Sequence, residues 1–213
     1  MTIDSVTLLA HFGLTPETLP KLTDGAEYIA VSLPHDVPAG ILDASENQRV
    51  MAYGNRVDAR RFTASRVLLR AVLSYYLGCA PATLAYTRQA HGKPIVAAPY
   101  TDQLHFSLAR RNGWCAIALC RNQPVGVDIE QVCDLPAMDD IAAIYFSAHD
   151  YKAFKQLHGV IKQQRFFERW TALEAAGKWL GLGLREDRET ARNRNARVSH
   201  EYPQGGWVIA LAV

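Results

Sequence analysis

Asp128 and Glu130 stand two apart in the run Pro124–Val125–Gly126–Val127–Asp128–Ile129–Glu130. On a strand, alternate side chains share a face, so both carboxylates look the same way. Glu174 and Lys178 stand four apart in Trp170–Thr171–Ala172–Leu173–Glu174–Ala175–Ala176–Gly177–Lys178, a spacing that stacks them one turn apart on a helix. Carboxylates paired at a strand end repel each other unless a cation or an arginine sits between them. Oxygen-only ligands suit Mg²⁺ or Mn²⁺, which keep waters and take further ligands from substrate phosphates. Two carboxylates from a strand, one from a helix and a lysine beside it point to metal-assisted phosphoryl chemistry.

Each feature also has a plainer reading. An isolated Asp-x-Glu at a strand end is commonly just solvated, and a Glu–Lys pair at this spacing is a surface salt bridge worth only about 0.2–0.5 kcal/mol. Gly126, which permits close backbone approach, shifts the balance for the strand pair. The Trp- and Phe-rich stripe beside Glu174, with Gly181–Leu182–Gly183–Leu184 just after, does so for the helix pair. His91–Gly92–Lys93–Pro94 puts a lysine on a tight turn. Arg60, Arg61, Arg66 and Arg70 decorate one predicted helix as a solvent face, and Arg110–Arg111 end a strand. Such arginines form a phosphate pocket only where several converge.

The elements that must position these groups are legible in outline. Residues 1–43 read as irregular and short-strand material broken by Pro16, Pro20, Pro34 and Pro38. Ser45 and Gln48 resemble a capping box opening a helix through Met51 and Val57. Phe62, Arg66, Leu69, Val72 and Tyr76 recur at helical spacing, closed by Gly78 and Pro81. Short strands are expected at Leu84–Thr87 and Ile95–Val96. Leu104–Arg110 and Trp114–Cys120 alternate around Asn112–Gly113, a strong hairpin turn. Residues 141–157 and 163–180 read as helices, and Trp207–Val213 as a closing strand. Phe166, Trp170, Leu173, Gly177 and Leu180 would form the buried stripe of the last helix, with Glu174 at its edge. The pattern predicts an α+β protein of two similar halves, a pseudo-dimer, each a small mainly antiparallel sheet packed with a long helix. The halves are residues 1–105 and 106–213, the second carrying the metal site, with the active site at their interface.

The chain has 213 residues, enough for one generous core or two small domains. Its net charge of +2 is too balanced to argue for nucleic acid. The start lacks a basic segment followed by an apolar core, and the apolar runs are too short to span a bilayer. The four cysteines show no Cys-x-x-Cys spacing, so a reduced, cytoplasmic protein with no membrane association is expected.

Gly126–Glu130, Phe146–Tyr151, Trp170–Lys178 and Gly92–Pro94 together resemble the Sfp-type 4′-phosphopantetheinyl transferases, over roughly residues 58 to 184. The resemblance implies that fold, and a monomer. It implies transfer of 4′-phosphopantetheine from coenzyme A, the substrate, to a serine of an acyl- or peptidyl-carrier protein, with 3′,5′-ADP released. It implies Mg²⁺, or Mn²⁺, on Asp128, Glu130 and Glu174, with Lys178 neutralising the pyrophosphate and Lys93 and Arg61 holding the 3′-phosphate. Either Glu174 or a water held by Glu130 takes the serine proton. The chain departs from the family at Ala109 and Arg110, where a serine and a histidine usually contact phosphate, and Arg110 can replace the histidine as a phosphate contact. It departs again at Leu173, usually lysine, and at Asp150, usually glutamate. A coenzyme A-binding relative without turnover is the first alternative, and an unrelated metal-dependent phosphohydrolase the second. Arg185, Arg188, Arg192, Arg194 and Arg197 could present a basic rim to an acidic carrier protein.

Overall fold

The computed structural model describes residues 3–23, 25–182 and 196–213. In chain order the elements are α1 (Ser5–Ala10), β1 (Glu27–Ser32), α2 (Ala44–Met51) and α3 (Arg56–Leu77). Then come β2 (Tyr86–Arg88), β3 (Pro94–Val96), β4 (His105–Arg111), β5 (Trp114–Cys120) and β6 (Gly126–Gln131). The chain continues through α4 (Met138–Tyr145), α5 (Ala148–Phe154), α6 (Gly159–Leu180), β7 (Val198–Glu201) and β8 (Trp207–Ala212). The fold is mixed α+β. One antiparallel sheet runs β1–β5–β4 and another β6–β8–β7, with β2–β3 as a separate hairpin.

The expected hairpin is present: Asn112 and Gly113 both take positive φ, 45° and 82°, as a tight turn between twisted strands requires. Leu8 and Leu9 of α1 and Leu68, Leu69 and Leu73 of α3 bury against Phe106, Ile117 and Leu119 of the first sheet. The second half pairs the other 22-residue helix, α6, with β6 and β8. The two sheets meet at β4 and β6, where the buried Ser107 hydroxyl accepts the Val127 N–H at 3.1 Å.

Several local expectations need correction. The capping box lies at Asp43 and Glu46, not Ser45 and Gln48: the Asp43 carboxylate accepts the Glu46 N–H, and Glu46 returns to the Asp43 N–H. The helix ends at Met51, and α3 restarts behind an Asn55 cap. The helix expected over 141–157 is two helices, because Ser147 caps a new one. The arginine row on α3 is not all a solvent face. Arg70 is fully buried and bonds Asp43, Glu46 and the carbonyls of Pro81 and Leu84.

The buried face of α6 is also rotated from the expected stripe. Phe166 is buried as expected, but so are Phe167, Thr171 and Ala175, while Trp170, Leu173, Gly177 and Leu180 are half-buried. Trp170 and Leu173 pack toward α4 and α5. The contact with the sheet is made by small residues, Ala175 against Ala210 and Ala212, so helix and strands come close.

Candidate functional site

The closest approach is at Gly126. A Cβ there would lie 1.9 Å from the Ala175 carbonyl oxygen and 2.6 Å from the Trp179 nitrogen. No residue with a side chain fits, and the absence of one is what lets α6 lie on β6. Lys178 then reaches the strand: its Nζ donates to Asp128 Oδ1 at 2.7 Å and to the Val127 carbonyl at 3.1 Å. Asp128 is buried, 7% exposed, between its neighbours in β6 and opposite Ala210 of β8.

Glu130 follows on the same face. Arg111, at the end of β4, brings Nε within 2.9 Å of Glu130 Oε2. That is an ion pair without hydrogen-bond alignment, since Oε2 is buried and receives no hydrogen bond from the described residues. Asp128 Oδ2 is likewise buried and unbonded. An orphaned carboxylate oxygen in a dry place is costly, and two on one strand face leave acceptor capacity that a further donor or a cation could take.

The carboxyls' protonation says the same. Burial raises Asp128 above the usual carboxylate range, against the pull of Lys178. Burial, with the charges of Asp128 and Glu174, raises Glu130 to about 7, opposed by Arg111. Burial and the Asp128 charge raise Glu174, opposed by Lys178. The three acids thus sense one another. In donor type and charge the three, with the orphaned oxygens of Asp128 and Glu130, fit a hard divalent cation. Among the described residues, though, no three His, Cys, Asp or Glu side chains are gathered closely enough to enclose a metal ion. Lys178 and Arg111 supply the local counter-charge instead.

The residues expected to hold coenzyme A fall into two clefts. Lys93 and Lys178 line one of about 300 Å³ with Arg66, Phe106 and Ser107. Lys93 is pinned there, its Nζ donating to the carbonyls of Val125 at 3.1 Å and Trp179 at 3.3 Å, and burial pushes it down to about 8. Arg61 and Arg110 line another of about 250 Å³ with Tyr53, Arg111 and Trp114. Arg110 lies over the Phe62 ring and makes long bonds to the hydroxyls of Ser65 (3.5 Å) and Tyr53 (3.4 Å). Lys178 bonds Asp128 and Arg111 pairs with Glu130, so the carboxylate row runs between the two clefts.

A third cleft of about 410 Å³, lined by Arg49, Phe62, Arg66, Tyr86 and Arg88, was not anticipated. The sequence signal was there, arginines and aromatics at intervals, but nothing local showed that they converge. The Arg111–Glu130 pair was missed for the same reason. Asp150, in the first turn of α5, pairs with Arg169 of α6 at 2.8 Å, a contact that ties helices together. Of the proposed basic rim, Arg185, Arg188, Arg192 and Arg194 lie outside the described residues. The four cysteines are free thiols, and no helix among the described residues is long and apolar enough to cross a membrane.

Comparison with known proteins converges on one family. Residues 124–208 match the family model of the 4′-phosphopantetheinyl transferase superfamily. Residues 36–122 match that of the N-terminal part of a 4′-phosphopantetheinyl transferase. Among similar proteins is the 4′-phosphopantetheinyl transferase HetI of Nostoc sp. (strain PCC 7120), 29% identical over 186 residues, covering 83% of this chain and 78% of that one. A 4′-phosphopantetheinyl transferase of Bacillus subtilis is 28% identical over 169 residues, covering 77% and 72%. The transferase gsp of Aneurinibacillus migulanus is 25% identical over 165 residues, covering 74% and 67%.

Proposed function

The chain belongs to the 4′-phosphopantetheinyl transferase superfamily, and from that premise we propose that it moves 4′-phosphopantetheine from coenzyme A to a serine of an acyl- or peptidyl-carrier protein. The serine oxygen attacks the β-phosphorus and forms the new P–O bond. The bond to the leaving phosphate breaks, and 3′,5′-ADP departs with the electron pair. The serine proton passes to Glu174 or to a water held by Glu130. Catalysis of this kind is mostly positioning and charge neutralisation.

Asp128, Glu130 and Glu174 are the proposed ligands of Mg²⁺ or Mn²⁺, which would offset charge on the phosphate oxygens. Lys178 and Lys93 line one cleft and Arg61 and Arg110 the other, so the two bracket the acids with positive charge for a polyphosphate. The observation that carries this reading is the pair of buried, unbonded carboxylate oxygens, Asp128 Oδ2 and Glu130 Oε2, beside the Lys178 ammonium. The sheet β1–β5–β4 draws strands from both sides of residue 105. We therefore propose the division between halves in the 121–125 turn, with the carboxylate row at the junction. A monomeric, cytoplasmic protein that binds no nucleic acid completes the proposal.

Release of 3′,5′-ADP from coenzyme A, followed by chromatography, tests the reaction. Release should require both an apo-carrier protein and Mg²⁺. Release of phosphate without a carrier protein would replace the transferase with a phosphohydrolase.

The acids also set a pH dependence. The folded-state pKa of Glu130 is about 7, against an ordinary 4.5, so between those values the folded chain holds a proton that the unfolded chain has lost. That contribution is fully present below 4.5 and lost as pH rises through 7. The melting temperature of the metal-free protein should therefore fall over this interval, with Asp128 and Glu174 adding the same sign. Mg²⁺ should restore it at the upper end. Calorimetric melts across the interval, with and without Mg²⁺, check this; a rise with pH in the metal-free protein would contradict it.

A further inference from the structure

Arg111 has two neighbours of opposite kind. Its Nε lies 2.9 Å from Glu130 Oε2, and its side chain lines the cleft that holds Arg61 and Arg110. The Glu130 side chain is 15% exposed and that of Arg111 46%, so the acid is fixed and the arginine is the partner that water already reaches. The contact is Coulombic, because Oε2 receives no hydrogen bond from the described residues. A pair whose arginine is half-solvated and whose hydrogen bond is unaligned is open to competition, and a divalent cation brings twice the charge. Beside it, the Asn112 amide donates to Gln131 Oε1 at 3.3 Å, a second tie between the hairpin tip and β6 that does not involve Arg111.

We propose that Arg111 is a built-in counter-ion that competes with the metal for Glu130. It neutralises the carboxylate while no metal is bound. When a divalent cation takes Glu130, the guanidinium is released into the adjoining cleft and joins Arg61 and Arg110 on a phosphate of the substrate. Metal and phosphate then favour each other's binding, since each takes up what the other sets free. This rests on the metal reading of the carboxylates given above.

Calorimetric titration with Mn²⁺ alone tests it. Arg111→Gln and Arg111→Met, checked by circular dichroism, should bind Mn²⁺ about two- to five-fold more tightly than the parent, the worth of one half-exposed ion pair. Arg111→Lys, which keeps the charge, should stay near the parent value. Titration with coenzyme A should then show that saturating Mn²⁺ raises affinity more in the parent than in Arg111→Gln. Equal or weaker Mn²⁺ binding in both charge-removing variants overturns the counter-ion role. No Mn²⁺ binding by the parent overturns the metal reading itself.

Discussion

Asp128→Asn should lower the rate of transfer by at least about a hundred-fold while the chain still folds. Asparagine keeps the volume, and its amide oxygen can still accept from Lys178, which sits 2.7 Å from Oδ1. What it removes is the charge. Loss of one preorganised electrostatic group at a reacting phosphate or acyl centre costs on the order of 10²–10³ in rate. Stability should change little, because burial already disfavours the ionised form at this position and a neutral side chain avoids that penalty. Turnover measured alongside a thermal melt separates the two quantities. Activity within a few-fold of the parent would remove Asp128 from the site. Glu174→Gln should act in the same direction. A variant there that melts earlier but turns over normally would leave Glu174 a structural role only.

Gly126→Val should cost at least about 3 kcal/mol, the upper end of what overpacking costs a well-filled interior. The atoms it meets are backbone, the Ala175 carbonyl and the Trp179 nitrogen, so no rotamer change relieves the clash. Strand and helix must part, and for a chain of this size the melting temperature falls by roughly 6–12 °C. The parting should also cost activity in the molecules that remain folded, because Lys178 then leaves Asp128. Gly126→Ala should show the same two effects more mildly. A valine variant with parent stability and parent rate would mean that α6 and β6 do not approach as described here.

How much of this was legible beforehand follows from the range of each interaction. Asp128 and Glu130 sharing a strand face, Gly126 allowing close approach and the Asn112–Gly113 turn are local, and the chain states them directly. The facing of α6 is not local. A hydropathy stripe weights large side chains, and those of Trp170 and Leu173 do pack, but against α4 and α5. The tight contact with the sheet belongs to Ala175, Ala210 and Ala212, residues too small to mark a face. Arg70 reads as one more exposed arginine because its partners Asp43, Glu46, Pro81 and Leu84 lie on other elements. Strand β1 was hidden among prolines, and its register is set by β5. The candidate site shows the same division. Its acids and Lys178 stand in recognisable runs, whereas the distribution of Lys93, Arg61 and Arg110 between two clefts depends on how the halves meet.

Transfer itself is read by intact-mass spectrometry of apo-carrier proteins incubated with this protein, coenzyme A and Mg²⁺. Acyl- and peptidyl-carrier proteins should both be offered. At least one should gain the mass of a single 4′-phosphopantetheine group on its active-site serine, and Asp128→Asn should not transfer it in the same time. A folded, Mg²⁺-supplied protein that leaves every carrier at its apo mass would contradict the proposed transfer.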